Sequence, residues 1–123
     1  MQIDFASEVP IYVQIADQLS DAILTGAFPE GTQVPSTTEI SVSYKVNPAT
    51  VLKGMGLLTD RGILYKKRGV GMFVSEGAVE RLRQARRQDF YQDYVVRLLQ
   101  EAEKLGIGQQ DLIEMIRGGV RHG

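Results

Sequence analysis

Between residues 44 and 75, six bases (Lys45, Lys53, Arg61, Lys66, Lys67 and Arg68) stand against a single acid, Asp60. Residues 1–43 carry no Lys or Arg and six acids, and from Glu76 onward eight bases balance eight acids. The formal net charge of −1 therefore conceals a cationic middle third, the part of the chain that a polyanion would meet. The plain alternative is a solvated face on which like charges cluster.

Acid–base or nucleophilic chemistry has little to work with. The chain has no cysteine, which excludes disulfides, thiolate zinc sites and a cysteine nucleophile. Its only histidine, His122, is next to last, in a glycine-flanked tail expected to be disordered. Serines and acids occur, but not at the spacing of a triad or a metal-ligand set. Gly69-Val70-Gly71 resembles a fragment of a phosphate loop, yet lacks the Gly-Lys-Ser/Thr continuation. No catalytic residue, metal site or cofactor is expected, and the chain is not expected to be an enzyme.

The elements that would position the bases are legible from periodicity. Pro10 opens a helix with Ile11, Ile15, Leu19, Ala22 and Ile23 on one face, and Gly26 can end it. Ser36-Thr37-Thr38-Glu39 fits a capping box for a short helix to about Tyr44, with Ile40 and Tyr44 facing inward. Asn47-Pro48 starts the next helix, which carries Val51, Met55 and Leu58 inward and stops at Gly62. Two short helices joined by a tight turn suggest a helix-turn-helix. Residues 63–67 and 72–74 then read as strands around Arg68-Gly69-Val70-Gly71, a hairpin with a basic tip. A helix-turn-helix followed by such a hairpin is a winged helix.

Contact residues follow from this frame. The N-terminal residues of a recognition helix enter the major groove, which exposes Pro48, Ala49, Thr50 and Lys53, with Asn47 beside them. Ala49 suits a thymine methyl, Thr50 a base edge or phosphate, and Lys53 a guanine or phosphate. Ser36 and Thr38 could bond phosphates from the preceding helix. Lys66, Lys67 and Arg68 would meet DNA at the hairpin tip. Each has a structural alternative: Asn47 and Thr50 as simple caps, and Lys66-Lys67-Arg68 as a solubilising strand edge.

From about Gly77 a long helix is expected to Leu105, with Gly106 ending it and a short helix over about Gln109 to Arg117. Tyr91, Val95, Leu98, Ala102 and Leu105 fall at spacings of 4, 3, 4 and 3, and Phe90, Tyr94 and Leu99 widen the stripe. Such a face is too broad for a lone helix in water and reads first as an interface or a core face; the need to combine two half-sites on DNA is the argument for it as a dimer seam. A ligand-lining role for Phe90, Tyr91 or Tyr94 is the alternative. The expected architecture is α+β, mostly helical: a winged helix over residues 1–75 and a short two-helix dimerisation segment over 76–123. That segment is too small for an enclosed effector domain, so that an effector would sit between protomers or between the dimer helices and the winged helix. No apolar run approaches the roughly 18 residues that span a bilayer, so a soluble cytoplasmic protein with no membrane partner is expected.

In combination these residues resemble the DNA-binding domain of the GntR family of bacterial transcription regulators. The resemblance lies in Pro10-Ile11-Tyr12-x-Gln14-Ile15, Gly31-x-x-Val34-Pro35-Ser36-x-x-Glu39-Ile40, Val46-Asn47-Pro48-x-Thr50-Val51, Leu57-Leu58-x-x-x-Gly62-Ile63-Leu64 and Gly69-x-Gly71-x-Phe73-Val74. The short C-terminal part, Asn-Pro at the recognition helix and Leu105-Gly106-Ile107 are similar to the YtrA subfamily. The resemblance implies a homodimeric repressor on a pseudo-palindromic operator, often of its own transporter-linked operon and modulated by an unidentified small ligand. It also places Lys53, Lys67, Arg68 and Gly69 at positions that the family can use on DNA. Thr38, Pro48 and Leu52 depart from the family's arginines, so those guanine or phosphate contacts do not carry over. A winged helix serving as a protein-interaction module is the competing reading.

Overall fold

The structure, a computed structural model, describes the backbone of residues 2–122 and the side chains of residues 2–119. The chain forms two compact units, one extending to Gln84 and the other starting at Ala85.

In the first unit, α1 (Ile11–Leu24) packs on α3 (Pro48–Asp60), with α2 (Thr37–Tyr44) beside them. Ile15, Leu19 and Ile23 of α1 meet Ile40 of α2 and Val51, Met55 and Leu58 of α3 in one buried core. Burying side chains of this size contributes roughly 1.5–3 kcal/mol each. The axes of α1 and α3 come close because Gly54 has no side chain: a Cβ there would stand 2.7 Å from the Tyr12 carbonyl oxygen.

Local signals set the helix ends. The Ser36 hydroxyl accepts from the Glu39 N–H at 3.0 Å, and the Glu39 carboxylate accepts from the Ser36 N–H at 3.2 Å, so the expected capping box forms. Asn47 Oδ1 accepts from the Ala49 N–H at 2.8 Å, and Pro48 fills the first helical position. Between these helices Lys45 adopts a left-handed conformation, φ 54°. The Ser41 hydroxyl donates to the Val46 carbonyl at 2.7 Å, closing that turn.

The hairpin pairs β1 (Leu64–Lys67) with β2 (Gly71–Val74), with Tyr65 opposite Phe73 and Lys67 opposite Gly71. Gly71, expected in the turn, belongs to the strand. A further segment joins the sheet: Gln33 bridges Phe73, and Val34 N–H donates to the Met72 carbonyl at 3.0 Å. The turn-rich stretch before Val34 thus also supplies a short third edge.

The expected polar first half of the long helix contributes to this core. Ala78 and Leu82 of α4 (Ala78–Phe90) are buried in it. Glu30, 47 residues earlier, caps the entry to α4 by accepting from the Gly77 N–H at 2.7 Å and the Val79 N–H at 3.1 Å. Arg81 donates to the carbonyls of Gly62 and Glu76, both at 3.0 Å.

The helical backbone continues from α4 through a π turn, Tyr91–Val95, into α5 (Val96–Lys104). The Val96 N–H bonds the Tyr91 carbonyl five residues back rather than four. The extra residue in that turn changes the helical phase, so the 4-3-4-3 spacing does not trace one straight α-helical line. Gly106, φ 68°, ends α5 as expected, with Ile107 N–H donating to the Ala102 carbonyl at 2.9 Å. The last helix, α6 (Gln109–His122), runs past the expected stop near Arg117. Glycine permits a left-handed stop without imposing one, and Gly118 and Gly119 keep helical dihedrals. His122 is in that helix, but its side chain falls outside the described residues. Among the described residues, no helix is long and apolar enough to cross a membrane.

Candidate nucleic-acid interface

Three exposed pieces of the first unit carry the expected contact residues. At the start of α2, Thr38 is exposed and Ser36 half-buried. The Ser36 oxygen is committed to the cap, which leaves its hydroxyl proton to donate outward. At the start of α3, Asn47, Pro48, Ala49 and Lys53 are exposed and Thr50 is half-buried. Because Asn47 Oδ1 holds the Ala49 N–H, its amide NH2 group is the part left to meet a ligand.

The third piece is the hairpin tip, Lys67-Arg68-Gly69, all exposed. Gly69 turns the chain with φ 77°, and Val70 N–H donates to the Lys67 carbonyl at 2.9 Å. Gln33 steadies this tip by donating its side-chain amide to the Val70 carbonyl at 3.0 Å. Strand alternation puts Lys67 on the same face as Tyr65 and Phe73, while Lys66 projects to the opposite face. Tyr65 and Phe73 stack with centroids 5.8 Å apart, and the Lys67 ammonium lies 4.4 Å from the Phe73 centroid.

Lys53 is held in a similar way, its ammonium 4.1 Å from the centroid of Tyr12 on α1. Such contacts orient a cation without neutralising it. Tyr12, Phe73 and Gln33 thus position the cations, although sequence spacing assigned them no such role. Among the described residues, none of Lys45, Lys53, Arg61, Lys66, Lys67 and Arg68 is ion-paired. The positive charge of the middle third is therefore uncompensated at short range.

The Glu30 carboxyl sits below the ordinary glutamate range. Hydrogen bonds from Gly77 and then Val79 lower its pKa, desolvation opposes them, and the Arg81 guanidinium adds a smaller lowering. This is structural chemistry at the base of the hairpin. Among the described residues, no group of three or more His, Cys, Asp or Glu side chains is arranged to hold a metal ion.

In the second unit the expected seam residues divide. Phe90, Tyr91, Tyr94, Leu98, Leu99 and Leu105 are exposed, Val95 is half-buried, and Ala102, at 4%, is buried within the chain. Phe90 and Tyr94, one helical step apart, pack with centroids at 5.4 Å. Met115 and Ile116 of α6 add exposed apolar surface.

A winged helix-turn-helix with a capped, exposed second helix and an unneutralised basic hairpin tip defines a class, the DNA-binding transcriptional regulators. The model of the bacterial regulatory proteins of the gntR family matches residues 11–74, and the chain belongs to that family. It is a regulator of that family and not an enzyme. It is 32% identical over 117 residues to the HTH-type transcriptional repressor YtrA of Bacillus subtilis, covering 95% of this chain and 89% of that one. A GntR-family transcriptional regulator from Listeria monocytogenes shares the fold with a TM-score of 0.73 and 28% identity, over 93% of this chain and 98% of that one. The DNA-binding domain of AraR in complex with operator ORX1 is similar at a TM-score of 0.57 and 26% identity, over 61% of this chain and 96% of that one.

Proposed function

We propose that the protein is a homodimeric repressor that binds a pseudo-palindromic operator, that of its own transporter-linked operon, in the cytoplasm. The observation that carries this reading is the set of exposed, un-ion-paired cations on α3 and the hairpin tip. The likeness to a domain bound to its operator supports it. Each protomer places Pro48–Lys53 in a major groove, with Ser36, Thr38 and Asn47 on flanking phosphates. Lys67, Arg68 and Gly69 reach the adjacent minor groove or its backbone.

One winged helix buries too little surface for tight specific binding, so two must act together. The open apolar surface of α5, the π turn and α6 supports self-association, because large exposed apolar surfaces are disfavoured in water. DNA binding is thus assigned to residues 1–75 and dimerisation to 76–123. A small ligand that binds one dimer state more tightly would change the separation of the two winged helices and so the operator affinity.

The test is a footprint with purified protein on the DNA upstream of its own gene, repeated across salt concentrations. Protection of two half-sites about one helical turn apart, weakening steeply with salt, is expected. Absence of protection at low salt would overturn the reading.

A further inference from the structure

On α3 the large apolar side chains Val51, Met55 and Leu58 are buried, whereas Leu52 is 63% exposed. A single exposed leucine is ordinary on a protein surface; the position of this one is not. Leu52 stands one turn after Pro48 and Ala49 and next to Lys53, on the stretch that enters the major groove in the proposed function. One turn further on, Gly56 leaves its side open: a Cβ there would meet nothing within 4 Å. Packing therefore gives no reason for a mid-helix glycine, which costs roughly 0.5–1 kcal/mol relative to alanine.

The hydrogen-bonding groups left on this face are the Asn47 amide NH2, the half-buried Thr50 hydroxyl and the Lys53 ammonium. Asn47 Oδ1 is held by the Ala49 N–H, and the Lys53 ammonium is drawn over Tyr12. Pro48, Ala49 and Leu52 offer only carbon. Guanine and adenine are read in the major groove by paired donors and acceptors, whereas the thymine C5-methyl is the base-edge feature an apolar side chain recognises. The uncompensated bases around α3 and the hairpin supply the attraction that brings a duplex to this face.

We propose that Leu52 is a specificity-determining residue that packs on a thymine methyl group in each half-site. This rests on the DNA-binding reading above. The experiment uses the footprinted site with each thymine replaced in turn by deoxyuridine, which pairs identically and lacks only the methyl. Affinities are measured for the wild-type protein and Leu52→Ala. The wild type is expected to lose about fourfold at one thymine per half-site, the value of one buried methyl. Leu52→Ala, with an unchanged melting temperature, is expected to bind the thymine and uracil forms equally. Indifference of the wild type to every methyl, or the same preference in Leu52→Ala, would overturn the proposal and leave DNA binding intact. A wild-type protein that protects no DNA at all would overturn both.

Discussion

The ammonium of Lys53 on α3 lies 4.1 Å from the centroid of the Tyr12 ring on α1. The ring fixes the direction of the ammonium while leaving its N–H donors charged and able to reach a phosphate or guanine. Replacing Tyr12 with Leu keeps an apolar side chain at this half-buried position and removes the π face. Operator affinity is expected to fall about two- to fivefold, the equivalent of an exposed cation–π contact, with Tyr12→Phe close to wild type. Fluorescence anisotropy with labelled DNA measures this. Tighter binding by Tyr12→Leu would mean that the ring sequesters Lys53 from DNA.

The two glycines of α3 are expected to respond in opposite directions. Gly54→Ala drives a Cβ to 2.7 Å from the Tyr12 carbonyl oxygen and to 3.1 Å from Ile15 Cγ2, forcing α1 and α3 apart. Overpacking of this kind costs about 1–3 kcal/mol. Gly56→Ala meets open space and is expected to stabilise the helix by about 0.5–1 kcal/mol. Urea denaturation of both variants checks the pair, and equal effects would contradict the packing described.

Glu30 makes part of the stability pH-dependent. Its pKa is lower in the folded chain than in the unfolded one, chiefly because Gly77 and Val79 donate to its carboxylate. Folding therefore favours the ionised form. This stabilisation is fully present above the unfolded value, about 4.3, and is lost as pH falls through the folded value. Glu30→Gln is expected to melt below the wild type at pH 7, the two curves converging on acidification to pH 3. A gap that stays constant across this range would show that the charge is immaterial.

Arg68 and Thr50 are expected to divide the labour on DNA. Removing one phosphate contact lowers the salt slope of binding by about 0.9, or about 1.8 for a dimer that loses two. Arg68→Ala is expected to show that reduction on every sequence. Thr50→Val is expected to change the preferred sequence and to leave the slope nearly intact. Identical behaviour of the two variants on a panel of duplexes would remove the distinction between phosphate and base contacts.

Leu98, 44% exposed on α5, tests self-association. Leu98→Glu places a charge on the open apolar surface and is expected to give a monomer by light scattering, with loss of tight operator binding. The winged helix should keep its fold, because Leu98 lies outside the buried core of the first unit. A dimer of unchanged mass would move the seam elsewhere.

Where a structural feature rests on neighbours in sequence, it was legible beforehand. The capping box of Ser36 and Glu39, the Asn47-Pro48 start, the Gly62 and Gly106 stops and the basic turn at Arg68-Gly69 all use bonds or dihedrals within a few residues. The exposure of Pro48, Ala49 and Lys53 on α3 followed from the buried positions by helical geometry, whereas Thr50, expected on the same exposed side, is half-buried. Bonds spanning long stretches of chain were not legible, because no spacing rule links Glu30 to Gly77, Tyr12 to Lys53 or Gln33 to Val70. The π turn was also hidden, since the apolar spacing across Tyr91–Val95 fits an ordinary helix equally well. The longer α6 shows the limit of glycine as a signal: Gly118-Gly119 allows a stop that the helix does not take.

The central claim is that two winged helices of one dimer read a single duplex in fixed helical phase. Its most direct measurement is the affinity of the wild-type protein for the footprinted operator with about five base pairs, half a helical turn, inserted between the half-sites. Affinity is expected to fall to that of an isolated half-site. Undiminished binding to the lengthened operator would contradict paired reading.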